Sequence, residues 1–185
     1  GKPYKRWTTD ELIDSGVVMI PEDRKNCGIF PRRDLKENIT AAELQKFVDR
    51  KVKNFGFRNE RAHAQEAMDR FNVISPGIDA YITELSGGNQ QKVIVARWLS
   101  HSPKVCMFDD PTRGVDVGSR TEIGQMIVDL AKTGTAVILV SSDLNELVSL
   151  AHRIVIMRRG RLVGEVMRKD FNVQNILSVS SSEAE

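Results

Sequence analysis

The chain has 185 residues, 27 of them basic and 25 acidic, for a formal charge of +2. Hydrophobic residues make up 41% and charged residues 28%, which excludes a disordered chain and allows one compact domain with a real core. The net charge is too small for a dedicated polyanion binder. Two cysteines, Cys27 and Cys106, make no disulfide framework. Cys106 sits in the apolar run Val105–Phe108 and reads as a buried thiol, while Cys27 lies in a polar loop. No apolar stretch reaches the ~20 residues that span a bilayer, and Gly1-Lys2-Pro3-Tyr4 opens no signal peptide. The expectation is a reducing, cytosolic compartment in which membrane contact is made through a partner.

Residues 9–15 predict a short helix capped by Thr9, with Asp10 and Glu11 in its first turn. Val17–Ile20 predicts a buried strand stopped by Pro21. Residues 21–33 read as a basic loop. From Leu35 to Tyr81 no strand pattern is found, and helices are predicted over Ala41–Lys53 and Asn59–Phe71, broken at Gly56 and ended by Ser75-Pro76-Gly77. Alternation follows: helix Asn89–Leu99, strand Val105–Phe108, helix Arg120–Lys132 stopped by Gly134, strand Ala136–Val140, helix Leu144–Leu150. Strands Ile154–Met157 and Leu162–Val166 are joined by Arg158-Arg159-Gly160-Arg161, a hairpin turn. This turn reads as a solvated surface rather than a lipid or nucleic-acid site. After Phe171 the chain turns Ser- and Glu-rich, and its end is expected to fray.

Alternating strands and helices imply an α/β fold with a parallel sheet, whose chemistry sits at the carboxyl ends of the strands. After Phe108 come Asp109-Asp110-Pro111-Thr112. One carboxylate at a strand end suits Mg²⁺ beside a phosphate, and the next can orient or deprotonate a water. The same residues also read as an ordinary acidic turn. About twenty residues upstream, Leu85-Ser86-Gly87-Gly88-Asn89-Gln90-Gln91-Lys92 opens a helix. Its glycines, hydroxyl and free helix-start N–H groups make an anion site; alone, it also reads as a capped glycine turn.

Taken in order, these segments resemble the ATP-binding-cassette (ABC) transporter ATPases across roughly residues 10–168. Leu85–Gln91 is similar to the family's signature sequence and Val105–Asp110 to its Walker B strand. Gly114-Val115-Asp116 matches the D-loop, Val140-Ser141-Ser142-Asp143 falls where the switch histidine is expected, and Ile20-Pro21-Glu22 falls at the Q-loop. Pro21–Lys25, Leu85–Lys92 and Asp110–Gly118 together resemble one subgroup, the ATP-binding subunits of bacterial ribose-, galactose- and xylose-type monosaccharide importers. Those subunits carry two cassettes, and this chain resembles the second, C-terminal one.

The resemblance implies a partial RecA-like P-loop NTPase sheet with an inserted α-helical subdomain. It divides the chain into residues 1–33 (partial ATPase core with the Q-loop region), 34–84 (helical subdomain), 85–170 (signature helix and remaining core) and 171–185 (tail). It implies ATP and Mg²⁺ as cofactors, with Asp109 on the metal. Asp110, Ser142 and Glu22 take catalytic positions, and Ser86, Gly87, Gly88, Gln90 and Asp116 take nucleotide-binding or coupling positions. The implied partners are a second ATP-binding cassette, transmembrane permease subunits and, indirectly, a periplasmic sugar-binding protein, with no nucleic acid. The implied place is the cytoplasmic face of the bacterial inner membrane. Arg24, Arg32 and Arg33 read either as a solvated face or, by the resemblance, as a surface meeting the membrane subunit.

Three positions depart from the family pattern. The general-base glutamate is Asp110, one methylene shorter, and a misplacement of ~1 Å costs on the order of 100-fold in rate. The switch histidine is Ser142, and the Q-loop glutamine is Glu22. The alternative to a hydrolysing cassette is therefore a non-hydrolysing one that binds nucleotide and completes a partner's site. No G-x-x-x-x-G-K-[ST] phosphate loop occurs in the chain. The expectation is the latter two-thirds of a cassette, inactive alone and prone to self-association.

Overall fold

The computed structural model describes residues 7–49 and 54–181. They fall into two compact units that divide between Ile138 and Leu139. In the first unit, helix α1 (Thr9–Asp14) is capped by Thr8 rather than Thr9. The Thr8 hydroxyl accepts from the Glu11 N–H while the Glu11 carboxylate accepts from the Thr8 N–H, a reciprocal box that Thr9 cannot make. Strand β1 (Val17–Ile20) is as predicted. The basic loop is more ordered than expected. Residues Arg24–Gly28 make one π-helical turn, closed by the Ile29 N–H donating to the Arg24 carbonyl at 3.0 Å.

Helix α2 (Leu35–Thr40) was not anticipated, although Asp34 and Glu37 form a capping box at its start. The predicted helix over 41–53 gives way to a 3₁₀ turn at Leu44–Phe47 and a short antiparallel pair, β2 (Val48–Asp49) with β3 (Asn54–Phe55). The Gly56 N–H donates to the Phe47 carbonyl at 2.8 Å and closes that excursion, so the expectation of no strand here is also corrected. Residues 50–53 lie outside the described residues. Helix α3 (Phe57–Arg70) begins directly after Gly56.

Helix α4 (Gly87–Leu99) organises the unit. Val93, Ile94, Val95 and Ala96 are fully buried, and the polar Gln91, Lys92 and Arg97 are buried with them. A helix buried on every side needs neighbours on every side. α4 packs on β1, α2, α3 and α5 (Val117–Lys132). Strand β4 (Val105–Asp109) runs parallel to β1, with Val17 opposite Val105 and Ile20 opposite Phe108. β5 (Ala136–Val140) completes the order β1-β4-β5, so the predicted α/β fold with a parallel sheet is present. Val18, Ile20, Cys106 and Phe108 fill the covered face. α5 starts a turn before the predicted Arg120 because Asp116 caps it, accepting from the Ser119 N–H. It ends at Gly134 (φ +93°), as predicted.

Arg97 holds three segments together. Its Nε donates to the Asn38 carbonyl at 2.5 Å, Nη1 to the Gly28 carbonyl at 2.8 Å and Nη2 to Asn38 Oδ1 at 3.2 Å. Burial pulls its pKa down to about 10, since no carboxylate stands among these partners. His63 and His101, far apart in sequence, both lie against the buried Glu43 carboxylate, at 2.9 and 3.4 Å. Among the described residues no cluster is suited to hold a metal ion by itself.

The boundary between the units falls inside β5. The second unit continues with α6 (Leu144–Leu150) and the antiparallel hairpin β6 (Arg153–Arg158) and β7 (Arg161–Met167). Arg159 and Gly160, at φ +49° and +77°, make the two-residue turn the sequence predicts. After Phe171 the chain forms a helix that the sequence does not predict, α7 (Val173–Ser181), which buries Ile176 against Ile154, Ile156 and Val166. Residues 182–185 lie outside the described residues. No helix among the described residues is long and apolar enough to cross a membrane.

Candidate functional site

β1 and β4 are adjacent and parallel, so their carboxyl ends deliver two loops to one edge of the sheet. Asp109 ends β4 and Asp110 follows it, both half-buried. Asp110 has φ +42°, the left-handed region that aspartate tolerates better than most residues. This sharp turn buries Pro111 and Thr112 and leads to Arg113, which forms an ion pair with Glu22 from the loop after β1. The Glu22 position is thereby tied to the loop that carries the two acids.

The glycine turn lies at the head of α4. Ser86 caps the helix, accepting from the Asn89 N–H at 3.4 Å and from Asn89 Nδ2 at 3.1 Å. Both bonds use the hydroxyl oxygen as acceptor, which leaves its proton to donate outward. The first-turn N–H groups of Gly87 and Gly88 have no intrahelical acceptor. Gln90 turns inward instead: its Nε2 donates to the carbonyls of Ile82 at 3.2 Å and Leu85 at 3.1 Å, shaping the turn from behind.

Close approach explains both glycines. A Cβ on Gly88 would lie 1.9 Å from Ser119 Oγ and 3.2 Å from Asp116 Oδ2. A Cβ on Gly87 would lie 3.3 Å from the Gly114 carbonyl and 2.9 Å from Arg24 Nη2. The start of α4, the Gly114–Asp116 loop and the Arg24 turn therefore converge. Asp116 accepts from the Ser119 N–H and hydroxyl, each at 2.9 Å, and these bonds hold its carboxyl below the ordinary range. Ser142 belongs to the second unit, where it is exposed in the turn before α6, whose cap is Asp143. Arg24, Arg113 and Ser119 are the contributors that sequence reasoning did not assign to the site.

The donor set at the β4 end fits Mg²⁺ only in one way. One or two carboxylates suit an ion completed by phosphate oxygens and water. A cleft of about 570 Å³ lies elsewhere, at the amino ends of β4 and β5 between Lys104, Leu130 and Thr135.

A parallel sheet with acids at one strand end, and a glycine turn at the head of a buried helix, make up the α/β arrangement that the sequence predicts. The family model described as ABC transporter matches residues 1–113. The chain is 41% identical over 182 residues to the arabinose import ATP-binding protein AraG of Pectobacterium atrosepticum, covering 97% of this chain and 35% of that protein. It is 36% identical over 180 residues to the ribose import ATP-binding protein RbsA of Clostridium perfringens, covering 97% of this chain and 36% of that one. The chain thus spans about a third of the length of these relatives. Among solved structures, the dimeric ATP-binding cassette MJ0796 in a post-hydrolysis state bound to ADP and Pi superposes with a TM-score of 0.72 at 22% identity, covering 90% of this chain and 70% of that chain. The chain belongs to the ABC transporter family, and its fold is that of an ABC ATPase cassette.

Proposed function

We propose that the chain is the C-terminal cassette of an ATP-driven monosaccharide importer, acting at the cytoplasmic face of a bacterial inner membrane. The supporting observation is the convergence of Ser86, Gly87 and Gly88 with Gly114 and Asp116 at the head of a buried helix. It occurs in a chain whose relatives are named arabinose and ribose import ATP-binding proteins. In this reading the Ser86 hydroxyl and the Gly87 and Gly88 N–H groups face the terminal phosphate of a nucleotide held by a second cassette. Gln90 keeps that turn in shape, and Asp116 keeps α5 seated against it.

Mg²⁺-ATP, when bound, supplies the phosphoryl group and the driving free energy. Asp109 would hold the metal. Asp110 would orient the attacking water and accept its proton. Glu22 takes the Q-loop position and Ser142 the switch position. Residues 34–84 form the helical subdomain that meets the permease subunits; the periplasmic sugar-binding protein acts through the permease. A second reading, a binding half that does not hydrolyse, is favoured by the short side chain of Asp110.

Titration with a fluorescent ATP analogue tests this. The full-length two-cassette protein binds with Mg²⁺, and Ser86→Ala weakens binding by roughly tenfold. This chain alone binds no tighter than about millimolar, since it contains no phosphate loop. Tight binding by this chain alone, or a Ser86→Ala variant indistinguishable from the parent, contradicts the reading.

A further inference from the structure

The Arg24 guanidinium lies directly over Gly87, with Nη2 2.9 Å from the position a Cβ would take. It forms no hydrogen bond or ion pair with any described residue, and its Nε is fully buried without a partner. Burial alone accounts for its lowered pKa, with no carboxylate contributing. The nearby acids are committed elsewhere. Glu22 pairs with Arg113. Asp23 accepts from the Asn26 N–H at 3.0 Å and Asn26 Nδ2 at 2.7 Å. Asp116 accepts from Ser119.

A partly desolvated cation beside a helix N-terminus is doubly unfavourable, because both are positive and neither neutralises the other. The arrangement is also held in place. The π-helical turn that carries Arg24 is fixed at its far end by Gly28, whose carbonyl accepts from Arg97 and whose Cα sits so close to Ile94 that a Cβ would lie 2.6 Å from Cδ1. Both anchors are on α4, so Arg24 is mounted on the same helix whose first turn it covers. An anion between them would compensate both charges at once. A guanidinium fork, a hydroxyl donor and two N–H groups form a donor-only set, which matches a phosphate with three terminal oxygens better than a carboxylate with two.

We propose that Arg24 is an additional binding residue for the terminal phosphate of a nucleoside triphosphate at the Ser86-Gly87-Gly88 turn. The inference rests on the function proposed above and adds to it a cation supplied by the loop after β1. Gly87 leaves the space in which that cation sits.

The test measures Mg²⁺-ATP and Mg²⁺-ADP affinities of the full-length protein, its Arg24→Ala and Arg24→Lys variants, and Ser86→Ala. Arg24→Ala is expected to weaken ATP by about 10–100-fold and leave ADP within about twofold, because only the triphosphate reaches the turn. Arg24→Lys recovers part of the loss, which separates lost charge from lost folding. If Ser86→Ala weakens ATP and Arg24→Ala does not, the Arg24 assignment is overturned while the site stands. If neither variant separates ATP from ADP, the site itself is misassigned. If Arg24→Ala keeps its nucleotide affinities but loses co-purifying permease, the cation serves an acidic protein surface and the assignment is again overturned.

Discussion

Arg113 and Glu22 form an ion pair across the loops that follow two adjacent parallel strands. Both side chains are well exposed, at 65% and 42%. Exposed pairs of this kind contribute roughly 0.2–1 kcal/mol and weaken in salt. The pair therefore sets the course of two loops more than it stabilises the fold. A double-mutant cycle with Glu22→Gln and Arg113→Ala, followed by denaturant unfolding, is expected to give a coupling below about 1 kcal/mol that fades in high salt. A larger, salt-insensitive coupling would mean the pair is a structural anchor.

Gly88 and Ser119 make a steric prediction. The Cβ of a Gly88→Ala variant would meet Ser119 Oγ at 1.9 Å and Ser119 Cβ at 2.5 Å, so α4 and α5 must separate. The expected cost is about 1–3 kcal/mol. Because the obstruction is one side chain, Ser119→Gly should restore part of the stability in the double variant, read as a recovered melting temperature. Ser119→Ala should restore less, because its Cβ remains in the way.

The thiols differ in environment. Cys106 is fully buried in β4, and burial pushes its pKa up to about 12 from 9.0, while Cys27 is exposed. The folded state keeps the Cys106 proton in a range where the unfolded chain releases it. Its contribution to stability is thus complete below about pH 9 and is lost as the pH rises from 9 toward 12. Denaturant unfolding should show that decline, and Cys106→Ala should flatten it. In the folded protein at pH 8, a thiol reagent should modify Cys27 and reach Cys106 only after unfolding.

Much of the sheet was legible because its signals are local. Val17–Ile20 and Val105–Phe108 are short apolar runs bounded by turn residues, Arg158–Arg161 is a glycine-bearing turn between two more, and all three form. The missed elements have identifiable causes. α7 hides in a Ser-rich segment, yet Val173, Ile176 and Leu177 recur at helical spacing. α2 is only six residues long, and its capping box is the one cue to it. The β2–β3 pair is two residues long in each strand, too short for a strand pattern to show. The residues predicted at the glycine turn and at the end of β4 are recognisable from residue type and order. Arg24 over Gly87, Arg113 on Glu22 and Ser119 under Gly88 are not, because each contact joins residues more than thirty positions apart.

Asp110 separates the hydrolysing and the binding reading. Its backbone is left-handed and its carboxylate is one methylene shorter than a glutamate. Asp110→Glu in the full-length protein is expected to raise steady-state ATP turnover if the short side chain limits attack, and Asp110→Asn to lower turnover on the order of 100-fold without weakening ATP binding. An unchanged rate in both variants assigns this chain to the binding role and leaves hydrolysis to the other cassette.

The most direct measurement is a structure of the full-length protein with a non-hydrolysable ATP analogue and Mg²⁺. The account predicts a terminal phosphate within hydrogen-bond reach of Ser86 Oγ and the Gly88 N–H, held between two cassettes. A nucleotide bound away from the head of α4, with the Ser86-Gly87-Gly88 turn facing solvent, would contradict it.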